Sequence, residues 1–157
     1  QVSYNEVSII IGLDKQAVER YVDLLEKSRV VFRLPPYAAN RRRAISKLRK
    51  IYFYDTGIRN AVINNFNPLD SRADSGVLWE NYVLAERIKY LEYSRDRSDL
   101  YFFRSYDGAE IDLVEERAGK LAGYEFKLGG RYKKDTGRTA GIDYQVITPE
   151  NLAGFVI

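Results

Sequence analysis

The stretch DLYFFRSYDGAEIDLVEERAGKLAGYEFKLG, residues 99–129, contains three segments in which apolar and polar residues alternate. Such alternation predicts half-buried β-strands. The first two segments flank Asp107-Gly108, a dipeptide typical of a two-residue hairpin turn, and a looser turn near Ala118-Gly119 precedes the third. The stretch therefore predicts an antiparallel meander, with strands at 99–106, 109–117 and 120–129.

The residues on either side of this meander predict a small α/β domain over residues 67–157. The segment at 77–93 is apolar on most sides, which predicts a largely buried helix. A polar stretch with four basic residues follows the meander, and YQVI at 144–147 predicts a last short strand.

Residues 1–66 predict a separate module that begins with two short helices. Gly12 ends the first helix and Asp14 caps the second, whose apolar residues follow helical spacing. Two strands separated by a basic segment come next, VVFRLPPY at 30–37 and KIYFYDTG at 50–57. This order is the outline of a winged helix-turn-helix. The chain as a whole is therefore expected to be α+β.

The composition excludes several classes of function. The chain has no Cys and no His, so thiolate, imidazole and Ser–His–Asp chemistry are absent and any metal must be held by oxygen, which favours Mg²⁺ or Mn²⁺. No phosphate-binding loop occurs, so we expect no ATP site in this chain. No membrane span or signal peptide is apparent, and we expect a cytoplasmic protein. Gln1 and the absence of Met indicate a piece of a longer polypeptide.

The basic residues are concentrated in the first part of the chain. Residues 1–60 carry 12 Lys and Arg against 6 Asp and Glu, whereas residues 61–157 carry 13 against 16. A basic module beside a mildly acidic one favours nucleic-acid contact by the first. The alternatives are a solvated loop or a protein-docking module. The candidate nucleic-acid-binding residues are Lys15, Gln16 and Arg20 on the second helix and Arg41, Arg42, Arg43, Lys47, Arg49 and Lys50 in the basic segment.

Alternation in the meander also predicts which side chains share a face. In the second strand Ile111 and Leu113 are expected on one face, with Glu110, Asp112 and Val114 on the other. In the third strand Glu125 and Lys127 share a face. If the two strands pair, Asp112, Glu125 and Lys127 converge, and Glu80 on the preceding helix adds another carboxylate. Carboxylates hold hard divalent cations, and an ammonium can orient a water molecule. The alternative is a solvated face with weak ion pairs.

The order Asp112, twelve residues, Glu125-Phe126-Lys127 resembles the PD-(D/E)XK nuclease signature, although Ile111 stands where the signature has proline. The stretches KIYFYDTGIRNA, LWEN, FFRSYDGAEIDLVEE and YEFK resemble the C-terminal region of archaeal and bacterial AAA-type ATPases, over nearly the whole chain. The resemblance implies a restriction-endonuclease-like domain with a mixed sheet over residues 67–157. It also implies Asp112, Glu125 and Glu80 as ligands of Mg²⁺ or Mn²⁺, and Lys127 as the cation that orients water. The helix that normally follows the third strand has no room in KKDTGRTAGID, so either residues are missing between about 130 and 143 or the core is reduced.

Two functions are compatible with these observations. The first is a C-terminal DNA-binding and nuclease-like module of an AAA-type ATPase, with Mg²⁺-dependent phosphodiester hydrolysis. The second is a non-catalytic DNA-binding or protein-assembly domain that regulates the upstream ATPase. The expected partners are double-stranded DNA and the ATPase domain of the same polypeptide, which alone would hydrolyse ATP. The sequence leaves open whether the chain is itself an enzyme and whether it forms a homo-oligomer.

Overall fold

The structure is a computed structural model that describes residues 3–37, 49–105, 108–129 and 136–157. Helices and strands are mixed along the chain, which confirms the α+β class. In chain order the elements are α1 (Tyr4–Ile11), α2 (Lys15–Lys27), β1 (Val31–Leu34), β2 (Lys50–Phe53), α3 (Thr56–Val62), α4 (Ser75–Tyr93), β3 (Asp99–Arg104), β4 (Glu110–Arg117), β5 (Lys120–Phe126), β6 (Thr136–Thr139), β7 (Ile142–Ile147) and α5 (Ala153–Val156).

The first two helices are separated by a tight turn. Gly12 ends α1 with φ of 69°, a left-handed conformation that glycine adopts without steric cost. Asp14 begins α2, and its side chain accepts a hydrogen bond of 2.8 Å from the backbone N–H of Ala17. The helix buries Ala17 and Val18. Both helices therefore form where the sequence predicts them.

Strands β1 and β2 form a two-stranded antiparallel sheet. Val31 is paired with Phe53, and Leu34 is paired with Lys50. The segment between the two strands includes residues 38–48, which lie outside the described part of the chain. The predicted nucleic-acid contacts of Arg41, Arg42, Arg43 and Lys47 lie outside it as well.

The larger sheet has five strands in the order β3-β4-β5-β7-β6. Strands β5 and β7 are parallel, and the other neighbouring pairs are antiparallel, so the sheet is mixed as predicted. Residues 136–139, predicted only as polar connection, form the edge strand β6 against β7. The segment TGRT carries no strand signal because it lacks the alternation of apolar and polar residues.

Strand β4 contains an irregularity that changes the predicted faces of its side chains. Tyr101 is paired with Val114 and Phe103 with Ile111, so two steps on β3 face three steps on β4. Such a β-bulge puts both residues of the bulge on one side of the sheet. Ile111 and Val114 accordingly pack in one cluster, whereas Leu113 packs in the other. The prediction that Ile111 and Leu113 share a face is therefore wrong, because strict alternation ends at the bulge.

Helix α4 lies against the sheet face that carries Leu113. Seven of its side chains are buried, among them Trp79, Val83 and Leu84. These three pack with Leu113 and Phe126 of the sheet in the larger hydrophobic cluster. Among the described residues, α4 and every other helix are too short or too polar to cross a membrane.

The larger hydrophobic cluster extends across the predicted boundary between residues 66 and 67. Phe32, Leu34 and Tyr52 of the two-stranded sheet pack in the same cluster as Trp79 of α4 and Phe102 of β3. The backbone also connects the two parts, since Pro35 accepts a hydrogen bond from Phe102 N–H and Tyr37 donates one to Phe102. The two N-terminal strands thus share one core with the larger sheet.

Candidate functional site

Lys50 is buried, which corrects its prediction as a DNA contact. Its ammonium lies 3.0 Å from a carboxylate oxygen of Glu80, 2.8 Å from one of Glu110 and 3.6 Å from one of Asp112. Only 10% of the side chain is exposed. A lysine that is buried among three carboxylates cannot reach a phosphate backbone.

The elements that carry this group explain how it assembles. Lys50 and Tyr52 are buried and alternate with half-buried neighbours on β2, so both side chains point to the same side, toward α4. There the hydroxyl of Tyr52 and the ammonium of Lys50 both donate to the same oxygen of Glu80. Glu110 begins β4, and Asp112 lies at its bulge. We call Lys50, Tyr52, Glu80, Glu110 and Asp112 the Lys50 cluster.

Asp112 is held by the backbone of the neighbouring strand. One carboxylate oxygen accepts a hydrogen bond of 2.9 Å from the N–H of Phe126, and the other faces Lys50. Burial and the charge of Glu80 raise the pKa of Asp112 to about 6, although the Phe126 N–H, Lys50 and Lys127 act in the opposite direction. Asp112 is therefore partly protonated slightly below neutral pH.

The two other ionisable groups in the interior of the cluster keep their protons. Burial by itself lowers the pKa of the Lys50 ammonium, but Glu80, Glu110 and Asp112 together outweigh it and raise that pKa. Burial and the Glu80 charge raise the pKa of the Tyr52 hydroxyl. Lys50 is therefore a cation and Tyr52 a neutral hydrogen-bond donor throughout the physiological range of pH.

Glu125 and Lys127 form an ion pair of their own. Their charged atoms are 3.6 Å from each other. On β5, Tyr124 and Phe126 pack in the larger hydrophobic cluster, on the α4 face of the sheet. A side chain at Gly123 would meet Ile111 on the opposite face. Alternation therefore puts Glu125 on the face opposite to α4.

The predicted nuclease-type site is thus only partly assembled in the structure. Glu80 and Asp112 come together, and Lys127 is close enough to Asp112 for its charge to lower the pKa of that carboxyl. Glu125 leaves the sheet on the other face, and Lys50 stands between Glu80 and Asp112. Within the described ranges no three acidic residues are arranged to hold a metal ion. The residues therefore do not fit the divalent cation that the nuclease resemblance implies.

The sequence did not single out Glu110 or the role of Lys50 and Tyr52. The spacing offers a signal, because residues two apart on a strand lie on the same face. Lys50 and Tyr52 have this spacing on one predicted strand, and Glu110 and Asp112 have it on another. A lysine in phase with a buried tyrosine indicates a paired interior cation, which would have separated Lys50 from the other basic residues of its segment.

A second group of candidate residues lies on the N-terminal helices. Lys15, Gln16 and Arg20 are exposed at the start of α2, opposite the buried Ala17 and Val18. They are presented together on one surface of the helix, as the sequence predicts. Arg49 is half-buried, and with Lys15 and Arg33 it lines a small cavity of about 190 Å³.

Comparison with known proteins identifies two family models along the chain. Residues 1–69 match a domain of unknown function, DUF8612, and residues 75–156 match a second domain of unknown function, DUF4143. The chain is 30% identical over 124 residues to the uncharacterized proteins Mb2031c of Mycobacterium bovis and Rv2008c of Mycobacterium tuberculosis. The match covers 78% of this chain and 27% of each relative, so the chain spans only about a quarter of their length. No solved structure matches the chain significantly. Because the second family model covers more than half of the sequence, the chain belongs to the DUF4143 family.

Proposed function

We propose that the chain is the DNA-binding module of an AAA-type ATPase and that its first part acts as a winged helix-turn-helix. The observation that carries this proposal is the exposed surface of α2, where Lys15, Gln16 and Arg20 lie opposite the buried Ala17 and Val18. In helix-turn-helix proteins the early residues of the second helix enter the major groove. Lysine and arginine there contact phosphates and base edges.

Two further observations support the proposal. The segment between β1 and β2 has the position of a wing, and its sequence contains the basic run that begins at Arg41. Most of each curated relative lies outside the matched region, which leaves room for an ATPase domain. We propose that this domain and duplex DNA are the partners of the module in the cytoplasm.

The experiment is a fluorescence anisotropy titration of a labelled duplex of about 25 base pairs over a range of salt concentrations. We expect the double variant Lys15→Ala, Arg20→Ala to weaken binding by ~10-fold or more. The slope of log affinity against log salt should fall by about 0.9 for each lost phosphate contact. The matched control is Arg97→Ala, Lys120→Ala, which removes the same charge from exposed positions on the larger domain.

An equal loss in both double variants would mean that only the net charge matters. An unchanged affinity in the α2 variant would show that this helix does not contact DNA.

A second candidate function is phosphodiester hydrolysis. It is favoured by the spacing of Asp112, Glu125 and Lys127 in the sequence and by the convergence of the Glu80 and Asp112 carboxylates, although Lys50 lies between them. The position of Glu125 on the opposite face counts against it. The test is incubation of labelled duplex with Mg²⁺ or Mn²⁺, with EDTA and the variant Asp112→Asn as controls. Cleavage that both controls abolish would support this function, and the absence of cleavage under every condition would exclude it for these substrates.

A further inference from the structure

The Lys50 ammonium has the surroundings that a bound cation requires. Oxygens of Glu80, Glu110 and Asp112 lie 2.8 to 3.6 Å from the nitrogen. The ammonium donates hydrogen bonds to Glu80 and Glu110, and Asp112 at 3.6 Å adds an ion-pair contact. The nitrogen also lies 5.5 Å from the centre of the Phe102 ring, which adds a cation–π contact. Lys50 therefore fills the centre of the acidic group with charge and hydrogen bonds.

This centre is accessible to ions from solvent. Lys50, Glu80 and Glu110 line an open cavity of about 380 Å³, and 35% of the Glu110 side chain is exposed. A divalent ion could therefore reach the carboxylates. It would meet the ammonium there, and two like charges at such short range repel strongly. The ammonium has the advantage over the metal ion because it is covalently attached to the chain and is already held at the carboxylates.

We propose that the Lys50 ammonium takes the place that a divalent cation takes in nuclease-type sites. The carboxylates of α4 and β4 are then held together by a strand of the N-terminal part, and the cluster is independent of metal. The same contact fastens β2 to α4 and β4, since one side chain of β2 pairs with acids from both elements. This proposal does not depend on DNA binding, because none of the cluster residues lies on the exposed surface of α2.

The experiment compares the full chain with the variant Lys50→Met, which keeps the aliphatic stem beside Phe102 and removes the charge. Thermal unfolding is followed in EDTA and in 5 mM Mn²⁺, and Mn²⁺ binding is measured by calorimetry. The unmodified chain should melt within about 1 °C of the same temperature in both solutions, as expected when the ion concentration is far below the dissociation constant.

The variant should behave differently because its three carboxylates have lost their common cation. In EDTA its melting temperature should fall by roughly 10 °C, the loss expected when one partner of a buried ion pair is removed. Mn²⁺ should restore part of this loss and bind with a stoichiometry of one. Lys89→Met is the matched control, since Lys89 forms a half-exposed ion pair with Glu86 on α4, away from the cluster, and its loss should change neither property.

Two results would overturn the proposal. The first is stoichiometric Mn²⁺ binding by the unmodified chain that is lost in Asp112→Asn, because the ammonium would then not replace the metal. The second is a Lys50→Met protein as stable as the unmodified chain in EDTA. The first measurement needs no Lys50 variant, so it decides the matter even if that variant does not fold.

Discussion

Asp112 has a carboxyl group on which burial and hydrogen bonding act in opposite directions. Burial and Glu80 raise its pKa to about 6, above the ordinary value near 3.9 that it has in the unfolded chain. The folded protein therefore binds this proton more tightly than the unfolded chain does. The resulting stability is fully present below about pH 4 and is lost as the pH rises through about 6.

This sign predicts the behaviour of Asp112→Asn. The amide keeps an acceptor for the Phe126 N–H and does not titrate, so the variant should lack the contribution of Asp112 to the pH dependence. That contribution amounts to about 3 kcal/mol at most between pH 4 and 7, at about 1.4 kcal/mol for each unit of pKa. Urea unfolding at several pH values checks it, with exposed Asp143→Asn as the control. Identical profiles for the Asp112→Asn variant and the unmodified chain would contradict the prediction.

The sequence predicted Glu80, Asp112 and Lys127 as site residues, but it did not predict that Lys50 lies between the two carboxylates. The positions of the acids follow from motif spacing, which is local. The position of Lys50 depends on the pairing of Leu34 with Lys50 across an undescribed segment, which no local pattern contains. The side on which Asp112 emerges depends on a bulge, and a bulge is decided by packing between strands.

Arg87 is an element-scale contact because it connects α4, β4 and α5. Its guanidinium forms two hydrogen bonds with Glu115, of 2.7 and 2.9 Å, and a third of 2.6 Å with the carbonyl oxygen of Phe155. It also lies 4.4 Å from the centre of the Phe155 ring. Glu115 is buried. Among the described residues, Arg87 is the one cation that forms an ion pair with it.

We predict that Arg87→Ala lowers the free energy of unfolding by about 3–5 kcal/mol, because it leaves a buried carboxylate without its partner. The double variant Arg87→Met, Glu115→Leu should recover most of this loss, since it removes both charges and fills the space. Urea denaturation measures both values. A single variant as destabilised as the double one would show that packing of the Arg87 stem, and not the charge of Glu115, dominates.

Most elements were predictable because their signals are local. Gly12 and Asp14 mark the turn between α1 and α2, and the alternation at 99–126 marks three strands. Strand β6 was missed since its residues carry no apolar pattern and owe their conformation to pairing with β7. Local sequence patterns thus predict where helices and strands lie. Which strands pair with each other depends on tertiary packing, which these patterns do not contain.

At the scale of the whole molecule, the N-terminal part completes the core of the larger domain. Phe32, Leu34 and Tyr52 pack with Trp79 and Phe102, and Lys50 forms ion pairs with acids of α4 and β4. We therefore predict that the fragment 67–157 does not fold cooperatively by itself. Its thermal unfolding, followed by circular dichroism, should lack the sharp transition of the full chain and should be accompanied by binding of a hydrophobic dye. A fragment that melts sharply near the temperature of the full chain would contradict this prediction.

The bulge in β4 divides that strand into two halves that are out of phase by one residue. Before it, Glu110 and Asp112 turn toward α4, and after it Leu113 and Glu115 do so. The first half places the charged side chain of Glu110 at an open cavity, and the second half packs Leu113 into the hydrophobic core. Substitutions in the first half can therefore change the chemistry of the site while the second half keeps its register. Straightening the bulge without removing a residue would end this independence, because Ile111 would then turn toward Lys50 and the acids on either side of it would turn away.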